Sequence, residues 1–245
     1  MQNPFSQSST PFPLKVFLWM IAGLSLVSAP LIHLFALSLD AWNHWHLWQL
    51  VTYPLLHPLL SNLFFLLFNL YLLWVFGSSL IERMGFTAFM CLYFGGAAFA
   101  GAFALGASLL FSFPLFLYGG SAPLYALLIA WTLLNPDARL LLFFAVPFKA
   151  RNLVLFLIGA NALVDLSSGR FDLFASSIGA SIYGYLFAIF ICKAHSPFSF
   201  LAGFERFFLR LYERITHFKK KKEYRHSKIY DIKSGEPVLG DDQFM

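Results

Sequence analysis

The chain has 245 residues, 59% of them hydrophobic and only 12% charged, with a formal net charge of +5. Mean hydropathy is +0.69. A soluble domain of this length cannot bury that much apolar surface, so the composition excludes a purely soluble protein and makes the bilayer part of the solvent. In lipid a helix satisfies its own backbone, which reads the apolar runs as helices and the fold class as all-α, a polytopic membrane protein.

In chain order, residues 1–16 are Ser- and Pro-containing and read as a cytoplasmic N-terminal tail. Residues 17–195 form the membrane domain. Six apolar runs recur in it, at Phe17–Leu39, Leu59–Leu80, Ala88–Phe111, Ala122–Leu134, Asn152–Leu166 and Leu173–Cys192. Spanning the hydrocarbon takes about 20 residues, so the short fourth run is expected to begin deep inside the protein. The first run is too long for the apolar core of a cleavable signal. Between the first two runs, Trp42, Trp45 and Trp48 alternate with His44 and His46. Tryptophan prefers the membrane interface, which reads this loop as an aromatic anchor or as a lateral element beside a substrate path. The third run carries Gly95-Gly96-Ala97-Ala98, Gly101 and Gly106, and the sixth places Ser176, Ala180 and Gly184 four residues apart. Small residues on one helix face let neighbouring helices approach closely.

Beyond the sixth run the character changes. Phe204, Phe207, Phe208, Leu211, Ile215 and Phe218 recur at helical spacing, with Arg206, Arg210 and Arg214 on another face and Lys219 to Lys222 following. Residues 196–222 read as a basic amphipathic juxtamembrane helix, whose segment 203–222 meets anionic inner-leaflet lipid rather than nucleic acid. Residues 223–245 read as a flexible polar tail. Sixteen of the 17 Lys and Arg fall on one side of this topology, Arg170 alone on the other. Positive-inside bias places both termini in the cytoplasm and the chain in the cell (inner) membrane.

No cofactor is expected. His44 and His46 lack a third ligand, and no metal site is assigned. Cys91 and Cys192 lie far apart in sequence and read as inert packing residues.

The chemistry concentrates at Gly119-Gly120-Ser121-Ala122, where the fourth run begins. A serine in a glycine turn at bilayer depth has one plain reading, as the cap of the fourth helix. It has a second, as a nucleophile whose helix N-terminus offers backbone N–H groups to an oxyanion. Pro123 suits either, because a helix's first turn tolerates its missing N–H. Gly119-Gly120-Ser121-Ala122 with Tyr125 and Ala126-Leu127-Leu128 resembles the nucleophile stretch of the rhomboid family of intramembrane serine proteases. Asn69, then Gly77 and Glu82-Arg83-Met84-Gly85, resembles the end of that family's second span. Trp48 and His57 keep its spacing between loop tryptophan and second-span histidine, and Asp165-Leu166 resembles the exit of its fifth span. The resemblance covers Trp48 to Phe187. It implies a six-transmembrane-helix rhomboid-like bundle, with Ser121 at the nucleophile position and Gly119, Ala122, Asn69, His57 and Tyr125 around the oxyanion and substrate.

The family's base is a histidine in the sixth span. Here Gly184 keeps its place in Ser176-Ser177-Ile178-Gly179-Ala180-Ser181-Ile182-Tyr183-Gly184, and Ser177 stands where the histidine is due. A serine hydroxyl needs a base within hydrogen-bond reach, and a second serine is not one at neutral pH. Placing His57 by Trp48 puts Asn62 at the family's second histidine and Leu66 at its asparagine. Placing Asn69 by Gly77 puts Phe65 at that histidine, three residues out of step. Ala122 replaces a glycine, and Gln49 follows Trp48 where an arginine is usual. His57 is either a replacement base or a histidine bonded to backbone near Pro54 and Pro58. These departures imply a pseudoprotease that binds transmembrane protein clients. The alternative is an active intramembrane serine endopeptidase, a hydrolase with transmembrane substrates and an atypical base. A transporter or channel is disfavoured by the near absence of charge inside the spans.

Overall fold

A computed structural model describes residues 11–26, 28–57, 59–135, 138–142 and 146–192. The expected helix over 196–222 and the tail over 223–245 lie outside the described residues. Six apolar helices follow one another in the order of the six runs. Leu63–Met84, Phe86–Phe111 and Phe171–Phe190 are long and apolar enough to cross a membrane, while Phe12–Ser25, Ser121–Leu134 and Val154–Ser167 are shorter.

The first run is helical over Phe12–Leu26 (α1) and Ser28–Phe35 (α2), and ends in a short strand β1 at Leu37–Ser38, where the sequence suggests a span continuing to Leu39. Short helices α3 (Asp40–Asn43) and α4 (Gln49–Thr52) and a 3-10 turn at Tyr53–Leu55 build the tryptophan loop. Trp42, Trp45 and Trp48 are all exposed there, as an interfacial anchor requires.

Helix α5 (Leu59–Met84) and helix α6 (Phe86–Phe111) are joined through Gly85, at φ 85°. Strand β2 (Phe116–Leu117) pairs antiparallel with β1, Leu37 opposite Leu117 and Ser38 opposite Phe116. Helix α7 (Ser121–Leu134) follows. A hairpin of β3 (Arg139–Leu142) and β4 (Val146–Lys149) then leads to α8 (Ala150–Ser167) and α9 (Phe171–Phe190). The two small sheets lie outside the all-helical expectation. They are loop pairings at the helix ends, where chain leaving one helix meets another loop and exchanges the backbone bonds that no helix supplies.

Helix α7 is the centre of the bundle. It touches α5, α6, α8 and α9, and almost every residue from Ala122 to Leu134 is buried. A 14-residue helix spans only about 21 Å, less than the hydrocarbon thickness, and is stable at that depth because protein surrounds it. Its C-terminal end is held by Arg83, which donates to the Leu134 carbonyl at 2.5 Å and to Asn135 Oδ1 at 3.0 Å. A cation there satisfies carbonyls that no further turn can bond. Trp131, fully buried, donates to Ser79 Oγ at 3.0 Å and packs edge-on against Phe76.

The close approach of α9 depends on Gly184. A Cβ there would lie 2.7 Å from the Ala126 Cα, so only a hydrogen fits between the two backbones. Gly96 of α6 meets Ala126 from the other side, where a Cβ would lie 2.9 Å from the Ala126 Cβ. The small residues read from the sequence thus serve to clamp α7 between α6 and α9. Both cysteines are free; Cys91 is exposed and Cys192 half-buried.

Candidate functional site at the Ser121 turn

Four attachments fix the approach to α7. Strand β2 is tied to β1 two residues before Gly119. Gly119 takes φ 93°, a left-handed conformation that favours glycine, and its N–H donates to the Tyr53 carbonyl at 3.0 Å. The Gly120 N–H donates to His57 Nε2 at 2.9 Å. The Leu124 N–H donates to the Gly120 carbonyl at 3.1 Å, closing the first turn. Ser121 opens the helix, half-buried. Pro123 contributes no N–H, so the N–H groups of Ser121 and Ala122 remain at the positive end of the helix dipole.

His57 is 6% exposed and precedes α5. Burial lowers its pKa from 6.5 to about 4, against a smaller opposing effect of a hydrogen bond to the Leu55 backbone. The ring is therefore neutral at pH 7, and its Nε2 lone pair is engaged by Gly120. The backbone-bonded reading of His57 describes this geometry. Asn69, also 6% exposed, donates to the Phe65 carbonyl at 2.9 Å. His57, Asn69, Tyr93 and Gly120 line one small cavity of about 10 Å³, which contains no charged side chain. His57 sits in the loop before α5 and Asn69 inside it, and both line this cavity. Leu66 is buried and Phe65 exposed.

Ser177 is buried on α9, and its hydroxyl donates to the Phe174 carbonyl at 2.8 Å. It lies seven residues before Gly184, two helical turns along the same face and about 10 Å nearer the α9 N-terminus. Ser121 lies five residues before Ala126, the partner of Gly184, or about 7.5 Å along α7. Strand β2, which leads into α7, also touches α9. The two serines consequently occupy the same end of the bundle at similar depth. Ala122 is buried, and Tyr125, nearly so, lies one turn below Ser121. Asp165 is buried and accepts from the Asn161 amide at 2.9 Å.

Some residues that build this site have roles that the sequence does not show. The Tyr53 hydroxyl donates to the Ala97 carbonyl at 2.9 Å while its own carbonyl holds Gly119, so one residue links α6 to the serine turn. Gln49, 1% exposed, accepts from the Ser38 N–H at 3.2 Å and donates to the Leu34 carbonyl at 3.3 Å. It occupies the place where the resemblance leads one to expect arginine, and it holds the loop together without charge. His44 and His46 stay on the surface, His44 at 3.5 Å from Asp40 and His46 against Trp48.

A central, short, fully enclosed helix surrounded by longer apolar ones defines a helical, multi-pass membrane protein with its candidate site at a helix N-terminus within the bundle. The rhomboid domain model matches residues 44–194, and the chain belongs to the rhomboid family. No curated protein matches the chain.

Proposed function

We propose that this chain is a rhomboid-family pseudoprotease that binds transmembrane segments of client proteins. One observation carries the reading. The imidazole at the Ser121 turn has its Nε2 lone pair engaged by the Gly120 N–H. The side chain at the position due for the dyad histidine is Ser177, which is bonded to Phe174. Neither is arranged to take the proton of Ser121, and among the described residues no other histidine lies in the buried part of the bundle. Without a base, the hydroxyl is a poor nucleophile. The basic segments support an inner-membrane location with both termini cytoplasmic. Residues 203–222 add contact with anionic inner-leaflet lipid, and no nucleic-acid partner is assigned.

Losing the base of a catalytic serine costs on the order of 10⁶ in turnover in a well-studied soluble protease. The test compares wild type with Ser121→Ala for cleavage of a transmembrane substrate in liposomes and for labelling by a fluorophosphonate probe. The expected result is no difference, with client binding retained in both. Robust wild-type cleavage or labelling, abolished by Ser121→Ala, would overturn the proposal and favour an active endopeptidase in which His57 releases Gly120 and serves as base.

A further inference from the structure

At the end of the bundle shared with Ser121, but between α6 and α9, two cavities adjoin. The larger, about 530 Å³, is lined only by apolar side chains, among them Ala107 and Phe111 of α6, Leu166 of α8, and Ala175 and Ile178 of α9. The smaller, about 290 Å³, carries Tyr118, Arg170 and Asp172. Phe113 and Phe171 line both, their rings 6.2 Å apart, so the cavities share a wall. The two are neighbours across these rings, one apolar (the limb) and the other with a polar lining (the mouth).

The polar mouth has an unusual charge pattern. Arg170 is exposed in the loop between α8 and α9, and is the one basic residue that the charge pattern places on this side. Asp172 is 8% exposed in the first turn of α9. Both act electrostatically on the Asp165 carboxylate, Arg170 attracting and Asp172 repelling it, and among the described residues neither belongs to an ion pair within 4.0 Å. A guanidinium at a membrane surface is suited to a phosphate, and a carboxylate beside it to an ammonium. The height also fits. Helix α6, at 26 residues, is about 39 Å long and exceeds the hydrocarbon core of about 30 Å. A helix of that length can bring its last turn to the headgroup level, which would leave the apolar limb in the acyl region.

We propose that the adjoining cavities bind one phospholipid with a zwitterionic, amine-bearing headgroup. Its phosphate meets Arg170, its ammonium meets Asp172, and an acyl chain fills the limb beside Ala107 and Ile178. The proposal is independent of whether Ser121 reacts.

Native mass spectrometry of the full chain in detergent tests it, with phosphatidylethanolamine, phosphatidylglycerol and diacylglycerol of the same chains as probes. Wild type is expected to keep one phosphatidylethanolamine under activation that strips the other two, with affinity about tenfold higher, the scale of one charge-assisted contact. Arg170→Gln lowers phosphatidylethanolamine to the diacylglycerol level. Asp172→Asn removes the preference over phosphatidylglycerol. Ala107→Trp, or Ile178→Trp at the rim should the first fail to fold, weakens all three. A graded series of bound lipids without a discrete one-to-one state, or a one-to-one state unchanged in Arg170→Gln and in a folded tryptophan variant, overturns the proposal.

Discussion

Acid should destabilise the serine turn through His57, and the size of the effect follows from its environment. The ring is 6% exposed, and burial lowers its pKa from 6.5 to about 4. A group with a depressed folded pKa binds fewer protons in the folded state. Its contribution is intact above the unfolded value and is lost as pH falls from about 6.5 toward 4. The shift corresponds to about 3 kcal/mol in full, and to about 2 kcal/mol already at pH 5. Protonation also turns Nε2 from acceptor to donor, setting it against the Gly120 N–H. The assay is thermal unfolding in detergent from pH 7.5 to 4.5, for wild type and His57→Gln. The glutamine carbonyl can accept from Gly120 but does not titrate in this range. Wild type should lose stability across the window relative to His57→Gln, while the variant should begin lower at pH 7.5 because its side chain does not fill the imidazole site. Parallel pH profiles for the two proteins would refute the reasoning, since they would assign any acid sensitivity to other groups.

Gly184→Val should cost about 1–3 kcal/mol or more, because a Cβ at that position already falls 2.7 Å from the Ala126 Cα; denaturant unfolding measures it, and an unchanged midpoint would show that α7 and α9 can part freely. Ser177→His should give faint fluorophosphonate labelling that disappears in the double variant with Ser121→Ala; a folded Ser177→His protein without labelling would show that position 177 does not address Ser121. A peptide of residues 203–222 should bind anionic liposomes more tightly than neutral ones and lose that advantage at high salt, as screened charge requires; equal binding to both vesicles would remove the basic residues from the interaction.

What the sequence made legible was whatever repeats or carries a cost. Apolar length located six helices, and the cost of a glycine turn with a serine at membrane depth singled out 119–122. Gly184 was visible as one of a set of small residues, although its partner Ala126 was not. Tyr53 could not be found at all, and Gln49 stood out only as a departure from the resemblance, without its role. Their roles come from hydrogen bonds to Ala97, Gly119, Ser38 and Leu34, contacts between segments that no local pattern records. The three-residue disagreement between His57 and Asn69 was not legible as geometry, because a comparison along one helix takes no account of His57 belonging to the loop before it.

This last point bears on the chemistry. A histidine on a helix is aimed by the helix, and its ring is fixed relative to the residues one turn away. His57 is held by the turn it supports, through the Leu55 backbone and the Gly120 N–H. Its interactions are spent on the backbone conformation that presents Ser121, with Gly119 in a left-handed conformation and Tyr53 bonded to it. For His57 to act as a base, it would have to break the Gly120 bond that positions its own substrate hydroxyl. Positioning and proton abstraction are therefore in competition at this imidazole, whereas a dyad with its base on α9 separates them. With Ser177 in that place and bonded to Phe174, the proposed pseudoprotease keeps the fold of the turn without a histidine on α9.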